Sequence, residues 1–158
     1  MRIWSLAVFL AITGCASTAK QAMVPTAEWS RTGMVAFCRM NHGKKVGDGQ
    51  CWALANEAMK AAGKSRPGRD MRVWGRVVNP ANEQIRPGDV LEFENARFRE
   101  SRMTIITGSH HTAVVMTPER NGKFTVAEQN FWGNKRVSFR EMSLRTWVAG
   151  KMTIFRPG

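Results

Sequence analysis

The sequence predicts an α+β domain in which a helix with a cysteine in its first turn packs on an antiparallel β-sheet. The stretch from Gln50 to Ala62 carries Leu54, Ala55, Ala58, Met59 and Ala62 at three- and four-residue spacing, the period of a helix with one buried face. From Pro87 onward, apolar residues come in short β-rich runs parted by two strong turn signals, Pro87-Gly88-Asp89 and Asn121-Gly122. Helical pattern first and strand pattern second, without alternation, separates the helices from an antiparallel meander.

The elements follow in order. Thr32 to Met40 reads as a short helix, with Met34, Val35, Phe37 and Cys38 as apolar positions, and Gly43 to Gly49 as a loop. Gln50 to Ala62 is the principal helix, with Gly63 as its stop. Pro67 to Asp70 is a turn, and the Pro87-Gly88-Asp89 turn launches a strand at Val90 to Phe93. Met103 to Thr107 is a further strand, ended by Gly108. His111 to Met116 is β-rich, and the Asn121-Gly122 hairpin leads to a return strand at Lys123 to Ala127. Arg136 to Phe139 and Met152 to Phe155 complete the set.

The N-terminus reads as a targeting segment. Arg2 is a short positive region, Ile3 to Ile12 is almost wholly apolar, and Ile12-Thr13-Gly14-Cys15 closes it with small residues and a cysteine. The run is too short for a stable span. It resembles a bacterial lipoprotein signal, which implies removal of residues 1–14 and lipidation at Cys15; an ordinary cleaved secretory signal is the other reading. Residues 15–32 are then a lipidated cysteine and tether, and residues 33–158 one globular domain, expected to be a monomer. Ala16, not Asp, follows Cys15, which by resemblance to sorting patterns suggests the periplasmic face of the outer membrane in a Gram-negative cell.

The formal charge is +12 and the basic residues are spread along the chain. Such a field attracts polyanions; in an envelope these are wall polymers and anionic lipid, while an exported chain rarely meets nucleic acid, which is not expected as a partner. A solvated basic surface without a dedicated partner fits the charge equally well.

The chemistry centres on Cys51, where glycines give way to the principal helix in Gly47-Asp48-Gly49-Gln50-Cys51-Trp52. A helix start offers unpaired N–H groups and partial positive charge, and both favour the thiolate that attacks. His111 lies on a strand pattern, and Glu128-Gln129-Asn130 follows the next strand. Nucleophile, base and orienter in that chain order is the layout of a papain-like cysteine hydrolase. Cys51 attacks a carbonyl, His111 moves the proton, and Glu128 or Asn130, two apart on a strand pattern, orients the ring. The Cys51 N–H, with Gln50, suits an oxyanion hole. Trp74 and Trp132 are candidate walls of a substrate groove, with packing in the core or at its rim as the other reading. Cys38 reads as a small buried hydrophobe, although a Cys38–Cys51 disulfide is the pairing an oxidising compartment would favour.

Five pieces in order carry a family resemblance: Gln50-Cys51 with Leu54-Ala55, Met71-Arg72-Val73-Trp74-Gly75, Arg86-Pro87-Gly88-Asp89-Val90, His111-Thr112-Ala113-Val114-Val115 and Glu128-Gln129-Asn130. The chain resembles the CHAP domain (cysteine, histidine-dependent amidohydrolase/peptidase), near the NlpC/P60 enzymes. The ending Met152-Thr153-Ile154-Phe155-Arg156-Pro157, together with the histidine and Glu-Gln-Asn pieces, also resembles the cysteine-proteinase-fold domain of fungal actin-patch proteins. The first resemblance implies a papain-like fold and a hydrolase that cuts an amide bond in peptidoglycan; together with the N-terminal signal pattern it makes the expected protein an envelope lipoprotein. The second implies the same fold with a less defined reaction, and a catalytically silent binding or structural lipoprotein is the rival reading. No cofactor is implied. Some CHAP domains hold calcium before the cysteine, but His42 to Asp48 offers one carboxylate and two lysines, so no metal is expected.

Overall fold

The computed structural model describes residues 26–158, with side chains from residue 33 onward. The expected signal at residues 1–14, the lipidation site Cys15 and most of the tether lie outside the described residues.

Two helices precede the sheet. The first, α1 (Thr26–Met40), begins six residues before the sequence pattern suggests, so part of the expected tether is helical. The second, α2 (Cys51–Ala61), is flanked by Gln50 as N-cap and Ala62 as C-cap. The helices approach closely where Gly33 faces Ala62: a β-carbon on Gly33 would stand 3.2 Å from it.

Seven strands follow: β1 (Arg76–Val78), β2 (Val90–Arg99), β3 (Thr104–Ile106), β4 (His111–Val115), β5 (Lys123–Glu128), β6 (Ser138–Ser143) and β7 (Trp147–Arg156). They form one antiparallel sheet in the order β1-β7-β2-β4-β5-β6, with β3 paired to the outer half of β2. Four elements depart from the sequence reading. β1 is unforeseen because three residues are too few for a visible period. β2 continues six residues past Phe93, through a bulge against β7. β7 begins at Trp147, five residues early, and its first five residues are exposed, which hides the alternation. β6 is shifted to Ser138–Ser143 by its register with β5.

Two apolar clusters divide the interior. One lies between helices and sheet, where Met34, Cys38, Leu54, Ala58 and Met59 meet Trp74, Val90, Val114 and Phe155. The other gathers Val78, Leu91, Phe93, Phe98, Val115, Val126, Met142 and Ile154 with no helical residue.

Two of the sequence pieces are structural. Asp89, wholly buried, accepts from Arg156 Nε and Nη2, both at 2.8 Å, and also from the Arg86 N–H. This bidentate pair ties the turn before β2 to the end of β7. Gly75 has φ 154°, and a β-carbon there would stand 2.2 Å from the Arg156 carbonyl oxygen, so only glycine lets β1 meet β7.

Candidate active site

Cys51 is the first residue of α2 and is half-buried. The loop before it turns through Gly47 and Gly49, both left-handed, with φ 56° and 86°. Gln50 makes no side-chain cap and the first turn holds no acid. Among the described residues the N–H groups of Cys51 and Trp52 find no acceptor, whereas that of Ala53 bonds the Gln50 carbonyl at 3.1 Å. The thiol therefore sits on the first turn of α2, in the positive field of open N–H groups.

His111 opens β4 and Glu128 closes β5; both are buried. His111 Nε2 lies 3.0 Å from Glu128 Oε2, and the Cys51 thiol lies near enough to the same imidazole to be acidified by it. With Nε2 turned to Glu128, Nδ1 is the nitrogen left for the thiol. Phe131 and Phe93 flank the ring, at 5.2 and 6.1 Å between centroids.

Burial alone would hold His111 neutral, but its bonds to Cys51 and Glu128 outweigh it and lift the pKa to about 9. Burial likewise resists ionisation of Cys51, and His111 with the backbone and side chain of Thr112 overcomes it, so the thiol lies below its ordinary value. Glu128 follows the same logic: desolvation is overcome by His111 and Arg140, and its pKa is lowered. The three shifts act in the same sense, each favouring the charged form: thiolate at Cys51, imidazolium at His111 and carboxylate at Glu128.

Sequence reasoning left the choice of orienter open, and the two candidates part here. Glu128 faces the imidazole. Asn130 lies past the end of β5, where the chain turns left-handed (φ 59°), and its Nδ2 donates to Gln50 Oε1 at 2.6 Å. Among the described residues it makes no bond to His111, because the strand expected to carry both residues stops at Glu128. Gln50 stands at the helix start as expected, with its Oε1 taken by Asn130. Trp74 is not a groove wall: it is fully buried and donates its indole N–H to Glu92 Oε2 at 3.2 Å. Trp132 is 69% exposed on a left-handed backbone (φ 47°), stacked on Phe131 at 5.0 Å. It thus stands one ring away from the imidazole. Cys38 is buried on α1, and both it and Cys51 are free thiols.

Two site residues escaped the sequence reading. Arg140, on β6, donates from Nε to Glu128 Oε1 at 2.7 Å and from Nη2 to Oε2 at 3.0 Å. Gln129, wholly buried, clamps the loop before the nucleophile: its Oε1 accepts from Val46 N–H at 2.8 Å, and its Nε2 donates to the carbonyls of Val46 and Gln50 at 3.0 and 2.9 Å. An amide within Glu128-Gln129-Asn130 was the available signal for the second; nothing in the sequence marked Arg140 among the other bases. Among the described residues no cluster of His, Cys, Asp and Glu is arranged to hold a metal ion.

The chain is similar to the yeast protein "Altered inheritance of mitochondria protein 3" of Debaryomyces hansenii, at 28% identity over 151 residues. That match covers 83% of this chain but 15% of the relative's length. Among solved structures, the crystal structure of Ly7917 superposes with a TM-score of 0.52 at 16% identity, over 80% of this chain and 62% of that one. A second structure of Ly7917, with "the hydrolyzing product of MDP", gives 0.51 at 16% identity, over 81% and 63%. These likenesses show a shared fold. The AIM3/BBC1 cysteine proteinase-fold domain model matches residues 16–158, nearly the whole chain, and the chain belongs to that family.

Proposed function

We propose that the domain is a cysteine amidohydrolase or peptidase acting through Cys51, His111 and Glu128. The observation that carries this reading is the buried His111 Nε2–Glu128 Oε2 contact of 3.0 Å behind a thiol at an open helix start. The Cys51 thiolate attacks the carbonyl carbon of an amide, and the oxyanion forms against the Cys51 N–H with Gln50 beside it. The imidazolium gives its proton to the leaving nitrogen, the C–N bond breaks, and a thioester remains. Water, deprotonated by the now neutral His111, attacks the thioester; the carboxylic acid leaves and the thiol is restored. Glu128 holds the ring throughout and stabilises its charge.

The substrate class proposed is peptidoglycan, at the muramoyl–L-alanine amide or within the peptide stem, as in the CHAP and NlpC/P60 enzymes the sequence resembles. The structure of Ly7917 with the hydrolyzing product of MDP supports this direction. In this reading Cys15 carries lipid, tethering the enzyme in the envelope near its polymer, and the charge of +12 draws it to an anionic mesh. A second reading, a catalytically silent binding or structural domain, draws on the yeast relative, which is named for mitochondrial inheritance and not for hydrolysis.

Incubation of the reduced protein with peptidoglycan, beside Cys51→Ala, tests the choice. New fragments in the mass spectrum that vanish with the variant are expected. Unchanged peptidoglycan from several wall types moves the assignment to the silent domain.

A further inference from the structure

The sheet face that carries α2 continues past the candidate site, and there its side chains are exposed. Residues paired directly across strands share a face, and successive residues alternate. On the inner half of β2, Val90 faces the helices while Leu91 and Phe93 face the second cluster. The bulge between Glu94 and Arg97 inverts this alternation. Ala96 and Phe98 now join the second cluster, so Arg97 and Arg99 point to the helix side. Ile106 and Thr104 of β3 lie across from Arg97 and Arg99, and Ala149 of β7 lies across from Arg97. All of these side chains are exposed.

This open face is continuous with the site. β3 follows β4 along one edge of β2: Phe93 lies across from His111, and Arg97 across from Ile106. Those two levels are roughly 13 Å apart along the strand. Trp132 leans on the free edge of β3, its indole N–H 3.4 Å from the Ile106 carbonyl, and stacks at 5.0 Å on Phe131, itself 5.2 Å from the imidazole. An exposed aromatic ring, an exposed aliphatic side chain and two guanidinium groups thus run outward from His111. Charge selects the occupant. Among the described residues Arg97, Arg99 and the neighbouring Arg102 pair with no carboxylate. Glu94, earlier on β2, is taken by Lys151 at 2.8 Å. A guanidinium is a planar fork that matches a carboxylate with two parallel bonds. We propose that Trp132, Ile106, Arg97 and Arg99 form a track for an acidic stretch of the substrate. An extended peptide advances roughly 3.3–3.6 Å per residue, so the paired carboxylates fall about four residues from the bond held at Cys51. The inference rests on the thiol-hydrolase reading and names what that site accepts.

The test is the binding of fluorescein-labelled octaglutamate to the full reduced chain, read by anisotropy, together with the rate at which iodoacetamide alkylates Cys51, read by peptide mass. The extended probe spans about 27 Å, enough to reach from Arg99 to the thiol. A chain of charge +12 attracts any polyanion, so the comparison is between variants that lose the same charge in different places. Arg97→Gln with Arg99→Gln is expected to weaken binding about tenfold, the worth of two exposed ion pairs. Lys60→Gln with Lys64→Gln, at the far end of α2 and about 15 Å from Cys51, is expected to weaken it by no more than about twofold. Ile106→Glu puts a carboxylate into the track without removing either arginine and should weaken binding as well; it serves if the arginine variant does not fold. Bound octaglutamate should slow alkylation of Cys51 in the unaltered protein and not in the arginine variant. Equal losses in the two double variants, or binding that leaves the alkylation rate unchanged, overturn the track, while rapid alkylation leaves the thiolate standing. Slow alkylation of Cys51 without the peptide overturns the hydrolase reading, and the track with it.

Discussion

Two free thiols sit on consecutive helices and differ in nearly everything that governs reactivity. Cys38 is wholly buried among apolar side chains on α1, and burial pushes its pKa up to about 12. Cys51 is half-buried at the head of α2 and lies below its ordinary value, because His111 and Thr112 overcome its desolvation. Both are cysteines on helices that pack against the same core, so residue type and secondary structure do not explain the contrast. Position along the helix does. The thiol in the last turn of α1 meets apolar side chains, whereas the thiol at the N-terminus of α2 meets open N–H groups and the ends of the strands beneath.

The largest expected effect is the contrast itself. With a pKa of about 12, Cys38 is ionised at roughly 10⁻⁵ at pH 7. Iodoacetamide at that pH should alkylate Cys51 fully and leave Cys38 untouched until denaturant is added, as read by peptide mass. Labelling of Cys38 in the native protein would show that its cover opens easily. Cys51→Ala should abolish both the native labelling and hydrolysis.

Removing His111 should turn Cys51 toward the behaviour of Cys38. Without the imidazole the largest influence on the thiol is desolvation, so the midpoint of its alkylation–pH profile should rise. Hydrolysis by His111→Ala should fall about 10²–10⁴-fold, the usual worth of a positioned acid–base group. The same shifts set the pH dependence of stability. His111 has a raised folded pKa, so its contribution is complete below 6.5 and is lost as pH rises through about 9. Glu128 has a lowered one; its contribution is present above 4.5 and is lost as pH falls through the folded value. Thermal melts should therefore peak between those limits, and the alkaline loss should shrink in His111→Ala.

How much of this contrast the sequence disclosed depends on the range of each cause. The helix start at Cys51 was legible because glycines beside a 3.6-residue period are local signals, and Asn121-Gly122 was legible as a hairpin for the same reason; both residues are left-handed, with φ 54° and 77°. The histidine strand and Glu128 followed from β-rich runs. What stayed hidden is set by partners distant in the chain. Arg140 looked like one base among many until strand pairing put it beside Glu128. Trp74 read as a wall, but the chain folds its indole onto Glu92, 18 residues away. Asn130 read as strand because nothing local announces that β5 ends two residues earlier. The start of α1 was missed because Thr26 to Thr32 lacks a clear apolar stripe.

Glu128→Gln probes whether the contrast depends on charge or on shape. The substitution keeps the size of the side chain but leaves Arg140, only 19% exposed, facing a neutral amide. Loss of one partner from a buried pair costs about 3–5 kcal/mol, and the exposed rim of Arg140 argues for the lower end. Chemical denaturation should register that loss, and the His111 pKa, followed by NMR, should drop. A denaturation midpoint unchanged by the substitution would mean that solvent replaces the pair.

Trp132→Ala should have the smallest effect on the fold and separates binding from chemistry. The indole is mostly exposed, its N–H reaches the Ile106 carbonyl only at 3.4 Å, and its backbone sits at φ 47°, where a side chain is strained. Exposed substitutions away from core or caps usually change stability by no more than about 0.5 kcal/mol. A large ring kept on an unfavourable backbone next to the imidazole is worth its strain only if something lies against it. Trp132→Ala should thus leave the melting temperature and the alkylation profile of Cys51 nearly unchanged while raising KM for a peptide substrate. Should KM hold and kcat fall instead, the ring acts on His111 through Phe131 and not on the substrate.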